Sequence, residues 1–424
     1  MKIFIQTSLL LSFIVSMQAQ TFQEISCGAG YNQQSYVSLA TDEQTLVDND
    51  TWDLAFTAFG VQDAGIFINE SSGSINGQNI PVVEVYYTTI SNFDVDFNVE
   101  SLKDNLIFND EISYNYGAFN STRDTLNPFD FGWGKYEPSM HGVVGNEVFI
   151  VKLRDGSFKK VLIESLIGTD YTLKYADLNG DNLVIKKLNK TTDSNGKGFI
   201  FYNLSTHSTV DILPSYDYDF MYGRYISIAK DPNGTIVQQY NVTGILTGPQ
   251  VSSVMADGVD VDNVQFADYK DQMSDRLDVI GYDWKTFTNA GWILDEDRVY
   301  FIKSKNNTIW KLQFIDFEGS STGTTVLTKE VVGQQTATND ANIASLVYPN
   351  PSADIVYVIT DQEITQFQCF DTNGRSIPIT FNKASDASLY VYTLDIRNMQ
   401  SGLYILQGFG QNQKTLTTKF IKSK

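Results

Sequence analysis

Trp133-Gly-Lys-Tyr136 followed by Glu147-Val-Phe-Ile-Val151 recurs as Trp284-Lys-Thr-Phe287 followed by Arg298-Val-Tyr-Phe-Ile302, at a constant offset of 151 residues. On the same offset the turn pair Asp155-Gly156 meets Asn306-Asn307, and Val161-Leu-Ile163 meets Leu312-Gln-Phe314. Upstream, Tyr36-Val-Ser-Leu-Ala-Thr41 matches Phe201-Tyr-Asn-Leu-Ser-Thr206 at offset 165, and Thr51-Trp-Asp-Leu-Ala-Phe56 matches Asp217-Tyr-Asp-Phe-Met-Tyr222 at offset 166. The blocks keep their order, so the chain reads as two copies of one domain. Segments such as Glu147-Val-Phe-Ile-Val-Lys-Leu-Arg154 and Ile309-Trp-Lys-Leu-Gln-Phe-Ile315 are rich in β-branched and aromatic residues and end at turn pairs,. Apolar 310, 312 and 314 alternate with polar 311 and 313, the period of a half-buried strand,. No window of helical length shows a 3.6-residue period. The expected fold is all-β, with two repeated, mostly antiparallel domains over 20–190 and 191–333, the second diverged.

The chain has 424 residues, 50 acidic against 30 basic side chains and a formal charge of -20. With 42% apolar and 13% aromatic residues it has ample material for packed cores,. Its acidity excludes nucleic acid as a partner, because phosphate binding needs clustered Lys and Arg. It argues equally against an anionic membrane surface. Only two histidines, His141 and His207, and two cysteines, Cys27 and Cys369, are present, which removes a multi-histidine zinc site and a disulfide framework,.

Residues 1–19 read as a signal peptide: Lys2 precedes an apolar run from Ile3 to Val15, and small or polar residues follow up to Ala19,. The run is shorter than a membrane span, and no later window holds about 20 apolar residues, so no transmembrane segment is expected in the mature chain. Glu24, three residues before Cys27, reads against a lipid anchor there. A Cys27–Cys369 disulfide is not expected between opposite ends of the chain.

A polar linker, 334–342, precedes Val347-Tyr-Pro-Asn-Pro-Ser352, Phe370-Asp-Thr-Asn-Gly-Arg375, Leu394-Asp-Ile396, Ser401-Gly-Leu-Tyr-Ile-Leu406 and a basic end. In that order these motifs resemble the type A C-terminal sorting domain of type IX secretion cargo from Bacteroidetes. The resemblance covers 343–424 and implies a small β-sandwich, a partnership with the type IX machinery, and export across the outer membrane to the cell surface or medium.

Trp52-Asp-Leu-Ala-Phe56, Ile66-Phe-Ile-Asn69, Ser71-Ser-Gly73 and the run from Gly132 through His141 into Val148-Phe-Ile-Val-Lys-Leu-Arg-Asp-Gly156 and Lys159-Lys-Val-Leu-Ile163 resemble the HmuY-like family. That resemblance implies an all-β haem-binding protein outside the cell, with haem as ligand and an outer-membrane receptor as partner. Haem capture of this kind needs His or Met donors on the two faces of the iron and walls that exclude water. His141, Met140 and His207 are the candidate ligands. On the offset of 151, Trp292 stands where the first copy has His141; His207 follows the first strand of the second copy, where the first has Asp42. A His141/His207 site would therefore require the copies to face each other. Met140, Met221 and Met255 also suit a core, and Trp52 and Trp133 are expected to be core.

Asp257-Gly-Val-Asp-Val-Asp262 and Asp177-Leu-Asn-Gly-Asp181 place carboxylates close together without the EF-hand pattern, so calcium is not expected,. No nucleophile elbow, metalloprotease motif, phosphate loop or dinucleotide fingerprint occurs, so an enzyme is not expected. Three readings stay open: an exported HmuY-like protein binding haem or another hydrophobic ligand, a surface structural or interaction module without a haem site, and a glycan-binding surface protein.

Overall fold

The computed structural model describes residues 20–60, 63–230, 236–334, 345–360, 363–372, 374–383, 390–410 and 415–423. The expected signal peptide and linker residues 335–342 lie outside them. About 51% of the chain is strand and 6% helix, the helical part being short 3-10 turns, so the fold is all-β. No helix among the described residues is long and apolar enough to cross a membrane.

Four sheets stack around three apolar layers. The first outer sheet runs in the order Gly134–Glu137, Gly142–Gly145, Phe158–Ile167, Val148–Lys152, Glu84–Tyr87, Leu106–Ile107, with Asp170–Asp177 and Val184–Asn189 continuing from Phe158–Ile167. It packs on an inner sheet of Ser208–Val210, Phe199–Asn203, Leu54–Thr57 and Ile66–Ile68. Leu54, Phe56, Ile200 and Tyr202 meet Trp133, Phe149, Val161 and Tyr171 in the core between them. The second inner sheet holds Ile236–Thr247, Phe220–Lys230, Gln33–Val37 and Gln44–Asp48. The second outer sheet holds Thr21–Ser26, Thr324–Gln334, Thr308–Phe317, Val299–Lys303 and Ser252–Ala256. Val37, Phe220 and Tyr222 meet Trp284, Tyr300, Leu312 and Leu327 in their core.

The inner sheets also bury their other faces against each other. Strand alternation makes this direct: Leu54 and Phe56 enter the first core, whereas Ala55 joins Tyr36, Val47, Trp52, Phe67, Phe199 and Phe201 in a middle layer,. Because both faces of these strands are buried, they read as continuous apolar runs such as Leu54-Ala-Phe56 and Phe199-Ile-Phe-Tyr202,.

The two cores do not divide at residue 190. Gln33–Val37 pairs with Phe220–Lys230, and Phe199–Asn203 pairs with Leu54–Thr57. Thr21–Ser26 likewise pairs with Thr324–Gln334, the last strand of the second copy. Each copy thus gives its opening strands to the other core. The first core is continuous in sequence, whereas the second is assembled from residues 21–48 and 219–334.

The exchange repeats in atomic detail. Asp53 N–H donates to Tyr202 O at 2.9 Å and its carboxylate accepts the Leu204 N–H at 2.7 Å. Asp219 N–H donates to Val37 O at 2.7 Å and its carboxylate accepts the Leu39 N–H at 2.7 Å. These partners stand on the offsets of 165 and 166 that the sequence shows.

The C-terminal unit has its own core, with Val356, Phe367, Cys369, Tyr392, Leu406 and Phe420 between two four-stranded antiparallel sheets. Both cysteines are free and buried, with Cys27 in the second core.

Deleting residues 21–48 removes three strands from the second core and none from the first. In that variant, amide exchange is expected to stay slow in Val148–Lys152 and Phe158–Ile167 and to become fast in Val299–Lys303 and Thr308–Phe317. Equal loss of protection in both cores would contradict the exchanged arrangement.

Candidate functional site

Met140 and His141 occupy the tight turn between Gly134–Glu137 and Gly142–Gly145, closed by Met140 N–H to Glu137 O at 3.1 Å and His141 N–H to Pro138 O at 3.4 Å. Both side chains are exposed, and His141 has φ +50. In the strand leading into the turn, Tyr136 stacks on Phe129 with ring centroids 5.4 Å apart. Met255 is also exposed, at 38%, so of the three methionines read as core filler only Met221 packs against a core. Trp52 and Trp133 are buried as the sequence implies.

Trp292 does not occupy the place of His141. The second hairpin pairs Thr288 with Gly291, whereas the first pairs Glu137 with Gly142, so its turn is two residues shorter. Trp292 sits opposite Phe287 as Val143 sits opposite Tyr136. The Met140–His141 turn has no counterpart in the second copy; the gapless offset concealed the shortening because the chain regains register by Val299.

His207 belongs to the first core, carried there by the exchanged strand, so both histidines hang on one module rather than on two facing ones. Its Nδ1 meets Tyr175 Oη at 2.7 Å, and Tyr175 Oη lies 3.0 Å from Tyr202 Oη. The second core has an ion pair in this place. Lys329, which pairs with Leu312 as Tyr175 pairs with Val161, bonds the Asp42 carboxylate and Leu39 O. Asp42 and His207 share a left-handed backbone, φ +59 and +56. His207 is a clasp on the exchanged strand, equivalent to Asp42.

The sheet register separates the histidines. Gly142, next to His141, pairs with Ile167, and Tyr175, which holds His207, pairs with Val161. At about 3.3 Å per residue, the stretch of strand between Ile167 and Val161 is about 20 Å long. Two nitrogens on opposite faces of one iron stand roughly 4 Å apart, given metal–nitrogen bonds near 2 Å. His141 and His207 do not come together on one iron within a chain.

Met140, His141 and His207 line neither the cleft of about 460 Å³ beside the segment crossing between the cores nor the pocket of about 90 Å³ around Glu70. Among the described residues no group of three or more His, Cys, Asp or Glu is placed to hold a metal ion. Asp257 is engaged by Arg298 at 2.6 Å, and Asp177 by Lys159 at 2.5 Å.

The smaller pocket lies on the seam between the modules and contains residues the sequence reading passed over. Gln34 of the exchanged strand accepts from Trp52 Nε1 at 3.1 Å and donates to Ser71 Oγ, which donates to Arg224 O at 2.9 Å. Glu111 accepts the Ile228 N–H at 3.0 Å, and Tyr114 Oη donates to Thr247 O at 2.7 Å. Glu70 accepts the Asn109 N–H at 2.8 Å, and burial pushes its carboxyl up to about 8. Trp52 and Ser71 stand in the blocks that carry the family resemblance, and those blocks were the available signal.

Residues 30–179 match the family of the HmuY protein, and residues 346–423 match the secretion system C-terminal sorting domain. The chain carries an HmuY-family segment and a type IX sorting tail. No curated protein matches it. The HmuY match begins in strands that complete the second core and ends in the first, so the matched segment spans both modules. The sorting tail marks the protein for secretion or the cell surface and for contact with the secretion machinery.

A carboxyl raised by burial binds its proton more tightly in the folded state, so its share of stability falls as pH rises from the ordinary value of 4.5 towards about 8,. Glu70→Gln removes that dependence. Its melting temperature relative to the parent chain is expected to rise by several degrees between pH 5.5 and 8.5, measured by calorimetry. A constant difference would show that Glu70 is ionised in the fold.

Proposed function

We propose that this is an exported HmuY-type protein that serves as a non-catalytic binding and interaction module at the cell surface or in the medium, without clamping haem between two of its own side chains. The family segment and sorting tail support the export and the type. The observation that carries the ligand reading is the about 20 Å of sheet between the levels of His141 and His207,, together with the engagement of His207 by Tyr175 at 2.7 Å.

A second reading keeps haem, held through one axial donor at the exposed Met140–His141 turn. The stacked Phe129–Tyr136 pair on the same hairpin favours it, because Tyr136 stands in the strand that leads into the turn and paired rings suit a planar ligand,. An outer-membrane receptor would be the partner in that case.

The two separate on titration with haemin. The first predicts no Soret shift at micromolar haemin and no difference between the parent chain and His141→Ala. A shifted band abolished by His141→Ala establishes the second. A six-coordinate low-spin spectrum lost on replacing His207 would overturn both.

A further inference from the structure

The larger cleft, about 460 Å³, lies where the chain crosses from the first core to the second. Residues 213–218 form one wall, residues 58–59 and 195–198 come from the first module, and 249–250 and Lys305 come from the second. Its volume falls in the range of small-ligand sites, and module boundaries are where such sites collect. None of the lining residues belongs to a strand, so the cleft offers no free sheet edge to an extended peptide,.

The walls are aromatic and polar at once. Phe59 is 41% exposed and packs edge-on against Phe199 with ring centroids 4.8 Å apart. Its ring lies over Gly198, where a Cβ would come within 2.3 Å of the ring and where φ is +85, so only glycine leaves the ring its place,. Tyr216 is fixed by its hydroxyl, which donates to Tyr36 O at 3.0 Å, and so presents a ring that does not rotate away. Asn195, Gln250 and Asp217 line the same cleft. The ammonium groups are already neutralised, Lys305 by Asp217 at 2.7 Å and Lys197 by Asp211 at 2.6 Å.

Aromatic faces beside planar amides and a carboxylate match a ligand with an apolar C–H face and a rim of paired hydroxyls. The internal ion pairs leave no net cation for an acidic group. We propose that this cleft binds a neutral oligosaccharide, with Phe59 and Tyr216 as stacking surfaces and Asp217 and Gln250 as hydroxyl partners. This proposal stands independently of the haemin result, since the cleft shares no residue with the Met140–His141 turn.

The test is a glycan array probed with the purified full-length chain, followed by calorimetric titration of each hit against the parent, Phe59→Leu and Asp217→Asn. Phe59→Leu keeps an apolar side chain on Gly198 and removes the ring face; Asp217→Asn changes one exposed oxygen and leaves the cores alone. The expected result is binding of neutral glycans, weakened at least tenfold by each substitution, with melting temperatures close to the parent. A blank array overturns the proposal. So does binding of acidic glycans alone, binding unchanged in both variants, or peptide binding that the two substitutions abolish.

Discussion

Two buried aspartates hold the points where the chain crosses between cores: Asp53 accepts the Leu204 N–H and Asp219 the Leu39 N–H, each at 2.7 Å. Burial raises both carboxyls above their ordinary range, so each depends on its amide partner and leaves that N–H unsatisfied if lost,. Everything between the outer sheets follows from these crossings. Tyr36 and Val47 arrive with one exchanged segment, Phe199 and Phe201 with the other, and together they form the middle apolar layer that binds the modules into one stack. The clasps of Lys329 on Asp42 and of Tyr175 on His207 secure the turns just beyond the crossings. Pairing of Thr21–Ser26 with Thr324–Gln334 then ties the start of the double module to its end.

The repeat was legible because its blocks keep their order and each set holds a nearly constant offset, 165 to 166 upstream and 151 downstream, and the structure returns the upstream offsets as equivalent hydrogen bonds. Which copy a strand serves was not legible. Tyr36-Val-Ser-Leu and Phe201-Tyr-Asn-Leu are equivalent strands, and Asp53 and Asp219 equivalent acceptors, so pairing within a copy and pairing across copies satisfy the same side chains. Local pattern cannot choose between them; chain connectivity and the shared middle layer do. The Trp292 comparison failed for a different reason: the second hairpin turn is two residues shorter, and the loss is recovered before the next strand.

The candidate site shows the same division. His141 was found by residue type and is exposed on a turn peculiar to the first copy. His207 was found by the same rule, yet its ring is engaged by Tyr175, a contact visible only once the exchanged strand is placed. Glu70 and Gln34 carried no motif of their own, and their role on the seam depends on two modules meeting. The sorting domain was the most readable unit, because Pro349, Pro351 and Gly374 punctuate short strands around a core that involves no other part of the chain.

The exchange itself is tested most directly by a cross-link between Glu24 and Val326, which stand opposite each other in the Thr21–Ser26 and Thr324–Gln334 pair. With cysteines at both positions, mild oxidation followed by peptide mapping is expected to give an intramolecular bond between 24 and 326 in the monomer. Failure to form it, or a bond formed only between chains, would contradict the closure of the second core by the N-terminal strands.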